Sequence, residues 1–358
     1  MDKDLIMKIL TRFNINIEDI TETHSNSFTL YTLRLGLNAH ISQITVLRDE
    51  IAFALGNPHI RIGALGIEVP NRECDNISIQ EILNSQDFRD SMLVLPCALG
   101  KTISGTIFIR DLTQMGHLLI GGEHGSGKTT CLKDLLFSLI CKRTPDEMRL
   151  ILIDSTGCEL SGFSKLTCSY LATPAVTDAI SAYQILSALC QLADERFSKL
   201  KMANVRNIIE YNAIVEEKMP YVVVVINEYA ELMMDVGKEI EDAIINLAER
   251  NMTVGIHLII STSRLSHKFV TGYIKANFPA RIAFGTLTCA ESRMILDRLG
   301  AENLLSHGVM IYNCGTDLIR VQCALATDDD INNIVNDISD KYQSHQYGGL
   351  FPEQQTNI

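Results

Sequence analysis

The residues Gly122-Glu123-His124-Gly125-Ser126-Gly127-Lys128-Thr129, followed by Thr130, constrain this chain more than any other stretch. They satisfy the pattern G-x-x-x-x-G-K-[ST] at every fixed position. The flanks agree with it. His117 to Ile120 is a short apolar run that reads as a buried strand, and Cys131 to Ile140 carries apolar residues at helical spacing. Strand, glycine loop and helix, in that order, are what phosphate binding needs. The glycines let backbone N–H groups close around phosphate oxygens, and the new helix turns its positive end towards them. In such a loop Lys128 reaches the terminal phosphates and the Thr129 hydroxyl ligates Mg²⁺. The pattern therefore implies a site for a nucleoside triphosphate, ATP being the reading adopted, with its Mg²⁺.

At 358 residues the chain is long enough for one large α/β domain and a smaller one. No apolar run approaches the roughly 18 residues that span a bilayer. The start, Met1-Asp2-Lys3-Asp4, has no basic region leading into an apolar one, so neither a membrane segment nor a signal peptide is expected and the chain reads as cytoplasmic. Its ten cysteines include no C-x-x-C pair, which favours reduced, buried thiols over a metal site or disulfide frame. A net charge of −12 argues against a surface coated for nucleic acid, while leaving room for a narrow basic pore in an acidic ring.

Residues 1–70 read as a small α/β accessory unit without a nucleotide motif. Asp4 to Phe13 and Ile41 to Leu55 have helical spacing; Ser27 to Leu35, His59 to Ile62 and Gly66 to Val69 read as strands. Pro70-Asn71-Arg72 is the expected hinge. From 71 to 342 strand and helix signals alternate, as a mostly parallel, helix-covered sheet requires. Ile77 to Phe88 reads as a helix, and Leu93 to Cys97 with Thr106 to Ile109 as a strand pair. After the phosphate loop come strands at Leu150 to Ile153, Tyr221 to Ile226, Ile256 to Ile260 and Arg281 to Phe284. Helices are expected within Val176 to Met202 and on to about Glu217, then at Lys238 to Arg250, Phe269 to Ala276 and Glu291 to Leu299. Val309 to Tyr312 and Leu318 to Leu325 suggest a closing hairpin, Asp328 to Tyr342 a last helix, and 343–358 a disordered tail.

A phosphate loop needs a carboxylate at a nearby strand end to hold the water shell of Mg²⁺. The valine-rich strand ending at Ile226 delivers Asn227-Glu228 instead. Asn227 can hydrogen-bond a metal-bound water but brings no negative charge, whereas Glu228 can accept the proton of an attacking water.

Here the sequence resembles the FtsK/SpoIIIE family of DNA translocases. Pro220 to Met234 looks like that family's second motif with its aspartate replaced. Gly255 to Arg264, Ile274 to Phe284, Glu291 to Asp297 and Gly300 to Leu305 are similar to family strings, as are Gly63 to Asn71 and Leu99-Gly100-Lys101. The resemblance runs from about residue 5 to about residue 340. It implies a RecA-like motor domain behind a small domain, assembled as a hexameric ring that pulls double-stranded DNA through its channel. With no membrane anchor before it and no DNA-reading module after it, a stand-alone motor core is expected. Family pore loops match Met234 to Glu239 and Arg264 to Lys268, so the resemblance implies DNA contact by Lys238, Arg264 and Lys268. Arg281 and Arg293 are candidates for completing a neighbour's site, structural pairing being the alternative.

Several positions depart from the family pattern: Asn227, Ser263 for a phosphate-sensing glutamine, Leu265 for a proline, Met252 for an arginine, and Asp154-Ser155-Thr156 without the usual proline and lysine. Two readings stay open at this point. One is a translocase that hydrolyses ATP with Lys128, Thr129 and Glu228; the other is a nucleotide-binding ring component that no longer does. A P-loop enzyme acting on a small acceptor, such as a kinase, fits less of the sequence.

Overall fold

The computed structural model describes residues 2–24, 28–58, 60–63, 66–71, 76–250, 252–304, 308–315, 318–342 and Leu350. Except for Leu350, the expected tail lies outside the described residues, as does Arg72 of the expected hinge. The chain forms two compact units. One comprises residues up to Ile77 together with Lys101–Thr106; the other comprises Ser78–Gly100 and the residues from Ile107 onward.

In the first unit, Ile6 and Leu10 stand four residues apart on the helix Asp2–Arg12, and both are buried. They join a core containing Ile20, Tyr31, Ile44, Ile51 and Ile67. The sheet has four strands, β1 (Ile17–His24), β2 (Phe28–Leu35), β3 (Arg61–Gly63) and β4 (Gly66–Pro70), in the order β1-β2-β4-β3 with antiparallel neighbours. The stretch expected as one helix from Ile41 to Leu55 is two, Ile41–Val46 and Arg48–Leu55, divided at Leu47. Asp49 and Glu50 favour a fresh start there, because carboxylates complement the N-terminal dipole.

Among the described residues the second unit is built on nine strands. These are β5 (Pro96–Thr102), β6 (Ile107–Asp111), β7 (Leu118–Gly121), β8 (Met148–Asp154), β9 (Tyr221–Asn227), β10 (Ile256–Thr262), β11 (Ala280–Ala283), β12 (Val309–Cys314) and β13 (Leu318–Gln322). They run in the order β6-β5-β13-β12-β11-β7-β10-β9-β8. All neighbours from β11 through β8 are parallel, while β12 pairs antiparallel with both β11 and β13. Every residue of β8 and β10 is buried, and β9 is buried except at Tyr221. Continuous valine and isoleucine runs have this meaning: helices cover both faces. The helix Lys128–Lys142 contributes Leu132, Leu135, Leu136 and Leu139 to the core. Ala179–Met202, capped by Asp178, contributes Ala182, Ile185, Leu186 and Leu189.

Register places the chemistry. Asp154 lies opposite Asn227 and Ile226 opposite Ile260, while Thr262 lies opposite Gly121. The carboxyl ends of β7, β8, β9 and β10 therefore share one edge of the sheet, where parallel α/β folds bind ligands. Because β10 separates β7 from β9, the phosphate loop and Asn227-Glu228 face each other across one intervening strand.

Candidate functional site

The phosphate loop follows β7 directly, and three of its glycines have positive φ: Gly122 at 157°, Gly125 at 74° and Gly127 at 116°. At Gly122 a β-carbon would sit 2.6 Å from Phe284 Cβ, and at Gly127 it would sit 3.0 Å from Gly308 Cα. The loop is thus packed so tightly that only glycine fits at these two turns. Glu123, exposed, donates its N–H to the Gly285 carbonyl at 2.8 Å, and His124 is exposed beside it. Ser126 is buried, and its Oγ has no partner among the described residues. The helix then starts at Gly127 with no side chain capping it, so its first N–H groups are free to meet an anion. Thr130 lies in the first turn, half-buried.

Lys128 is only 5% exposed. Its Nζ donates to the carbonyls of Gly122 at 3.1 Å and Glu123 at 3.0 Å, and lies 3.8 Å from Glu228 Oε1. Burial pulls its pKa below the ordinary lysine range, and the carboxylates of Glu228, Glu159 and Glu123 pull it partly back. Glu228 follows β9 with φ 51°, a left-handed conformation unusual for a residue with a side chain. It is anchored on its far oxygen: Ser263 donates to Oε2 through its N–H at 3.0 Å and its Oγ at 2.9 Å. The serine in place of the family's glutamine is thus a clamp on Glu228. Leu265, in place of a proline, packs against the phosphate-loop strand at Gly121.

Asn227 is 1% exposed and has every hydrogen-bonding group engaged. Its Nδ2 donates to Asp154 Oδ1 at 3.1 Å and to Glu159 Oε2 at 2.7 Å; its Oδ1 accepts from Ser261 Oγ at 2.8 Å. Thr129 Oγ1 donates to the same Glu159 oxygen at 2.7 Å. Glu159 and Ser261 are absent from the set drawn from the sequence. The available signal was positional: Glu159 lies in the loop leaving β8, at the sheet edge that carries the phosphate loop.

Among the described residues no group of three or more His, Cys, Asp and Glu side chains could hold a metal by itself. Mg²⁺ at nucleotide sites keeps several waters and takes its remaining ligands from one or two protein groups and the substrate's phosphates. Thr129, hydrogen-bonded to Glu159, which shares the Asn227 amide with Asp154, offers a partial set of this kind.

Lys238 begins the helix Lys238–Arg250, one residue after Gly237, and is exposed. Arg264 and Lys268 are exposed in the segment after β10, with Lys268 Nζ 5.3 Å from the Phe269 ring centre. The segment 264–268 follows the carboxyl end of β10, whereas Lys238 is reached from β9 through the helix Tyr229–Asp235. Arg281 is spent internally, on the carbonyls of Phe278 and Lys275 and the carboxylate of Asp297. Arg293 is exposed.

The FtsK/SpoIIIE family model matches residues 78–267, and the FtsK alpha domain model matches residues 1–71. The chain belongs to the FtsK/SpoIIIE family. A DNA translocase FtsK from Caldanaerobacter subterraneus is 36% identical over 362 residues, covering 98% of this chain and 51% of that protein. DNA translocase SftA from Bacillus subtilis is 35% identical, covering 94% of this chain and 37% of the relative. The chain thus spans about half the length, or less, of these relatives. Among solved structures, the pCW3 conjugation coupling protein TcpA, in a monomer form with ATPγS, has a TM-score of 0.67 at 22% identity. That alignment covers 95% of this chain and 99% of TcpA. The cytoplasmic domain of the Thermomonospora curvata type VII secretion ATPase EccC gives 0.63 at 17% identity, over 78% of this chain and 36% of its own. These likenesses agree with the expected P-loop ATPase fold. No helix among the described residues is long and apolar enough to cross a membrane.

Proposed function

We propose that this chain is an ATP-driven double-stranded DNA translocase motor that works as a ring, with nucleotide held by residues 122–129. The observation that carries the reading is the approach of Glu228 to Lys128 across the sheet edge, 3.8 Å apart, with Ser263 fixing the other carboxylate oxygen. Lys128 and the loop's N–H groups hold the terminal phosphate of ATP. Water attacks the γ-phosphorus, its proton passes to Glu228, and the bond to the β-phosphate oxygen breaks, leaving ADP and phosphate. Lys128 meets negative charge on the departing oxygens, in a site where burial strengthens the attraction. Mg²⁺, when bound, supplies further neutralisation of the β- and γ-phosphates.

The relatives named as DNA translocases support DNA as the partner, and Lys238, Arg264 and Lys268 are the proposed phosphate contacts. A hexameric ring is the proposed assembly. Within it Arg293, exposed where Arg281 is internally paired, is the better candidate to reach a neighbour's nucleotide. The test is steady-state ATP hydrolysis with and without long double-stranded DNA, with Lys128→Ala as the blank. DNA-stimulated turnover that the variant abolishes supports the reading; nucleotide binding without turnover under every DNA condition refutes it.

A further inference from the structure

We infer that Glu159 supplies the carboxylate that steadies the water shell of the nucleotide's divalent cation, and that Asn227 is the donor that holds Glu159 in place. The inference rests on the proposed nucleotide site and assigns the missing negative charge within it. Position 227 is where a metal-supporting carboxylate was expected, yet the charge is present one strand away. β8 ends at Asp154, and the turn beyond it is tied back by Leu160 N–H to Asp154 Oδ2 at 3.0 Å and by Thr156 Oγ1 to Asp154 Oδ1 at 2.7 Å. This turn delivers Glu159 to the hydroxyl of Thr129, the loop residue expected to ligate the cation.

The valence of Asn227 explains why an amide stands there. Both of its N–H groups donate to carboxylates, Asp154 and Glu159, while its carbonyl accepts from Ser261. An aspartate has no such hydrogens. It would place a third anion within hydrogen-bond distance of two others, in a position 1% exposed. An amide at 227 therefore goes with a carboxylate at 159, and it satisfies Asp154 as well. A second, independent observation marks the loop as a ligand site: buried Ser126 Oγ lacks a partner among the described residues, which an incoming phosphate oxygen would supply. In this reading Glu159 is a positioning residue, acting on the cation through water and through Thr129.

The experiment measures a fluorescent ATP analogue binding to wild type, Glu159→Gln, Asn227→Asp and the double variant, each in EDTA and in Mg²⁺, with a thermal melt of each. Wild type should bind in EDTA and tighten with Mg²⁺. Glu159→Gln should bind as well as wild type in EDTA but lose roughly tenfold of the Mg²⁺ tightening, the usual scale for outer-shell partners. Adding Asn227→Asp to it should recover part of the tightening, because the amide at 159 can donate to the new carboxylate at 227 while Asp154 loses its donor. Asn227→Asp alone should melt lower than wild type in EDTA and be raised more than wild type by Mg²⁺ with nucleotide. That melt keeps the test decisive if the Glu159 variant folds poorly. Full tightening retained in Glu159→Gln, or no recovery in the double variant, overturns the inference while leaving the nucleotide site intact. Absence of binding by wild type in either buffer overturns both.

Discussion

Replacing Glu228 with glutamine separates the two jobs the structure gives this residue. The side chain is nearly isosteric, and its carbonyl oxygen can still accept from Ser263 N–H and Oγ, so the position should hold. What disappears is the proton acceptor and the negative charge. Loss of a general base lowers turnover by roughly 10²- to 10⁴-fold. Loss of the charge acts on Lys128, whose Nζ lies 3.8 Å away. At an effective dielectric constant of about 20, two unit charges at that separation attract by about 4 kcal/mol, before desolvation takes back most of it. The ammonium of Lys128 would then keep its two carbonyls but lose its carboxylate neighbour at 3.8 Å, the largest of the three carboxylate influences on it, and a nucleotide's phosphates become its main anion. Glu228→Gln should therefore bind ATP as tightly as wild type or several-fold tighter, while hydrolysing it at least about 100-fold more slowly. Phosphate release and equilibrium binding of a fluorescent ATP analogue read the two effects separately. A variant that keeps turnover within about threefold of wild type, or loses affinity and turnover together, refutes the assignment of Glu228 as base.

Gly127→Ala adds both a clash with Gly308 and a side chain at φ 116°, whereas Gly125→Ala meets nothing within 4 Å at φ 74°. Both should lose nucleotide affinity, the first more severely and with a stability loss of roughly 1–3 kcal/mol, measurable by urea melts with and without ATP. His117 is buried, accepts from Leu258 N–H and contacts the Ala248 carbonyl; burial, then His257, lowers its pKa from 6.5 to about 4. A folded-state value below the unfolded one means its stability contribution is complete above about pH 6.5 and is lost as pH falls towards 4, reaching about 3 kcal/mol. Denaturant melts between pH 7 and 4 should show this slope, and His117→Asn should flatten it. If the proposed ring forms, Arg293→Ala should depress ATPase activity with little change in melting temperature, whereas Arg281→Ala should lower the melting temperature by removing its pairing with Asp297; calorimetry beside an ATPase assay distinguishes them.

The central sheet is legible in the sequence because buried parallel strands are written as unbroken valine, leucine and isoleucine runs, which Val222 to Ile226 and Leu150 to Ile153 show. The phosphate loop is equally plain, since its conformation demands glycines at fixed spacing. β1 is not legible. Its sequence offers two apolar residues three apart, Ile17 and Ile20, among polar ones, and it becomes a strand through pairing with β2. The break at Leu47 is not legible in the sequence because the two short helices turn Ile44, Leu47 and Ile51 to the same core and so keep the helical spacing of a longer one. In the site, Lys128 and Glu228 could be named from motif positions. Glu159 could not, because its role depends on how the turn after Asp154 folds back towards Thr129. The meaning of Asn227 was hidden for the same reason. An asparagine at a strand end looks like a lost charge until both acceptors of its amide are known.

The central claim, that this site drives movement along DNA, is tested most directly by displacement of a triplex-forming strand from the far end of long linear duplex DNA. With ATP, wild-type protein should displace the strand after a lag that grows with duplex length. Lys128→Ala and Glu228→Gln should leave it in place. Displacement that proceeds without ATP, or none by a wild-type protein that binds both ATP and DNA, would contradict the account.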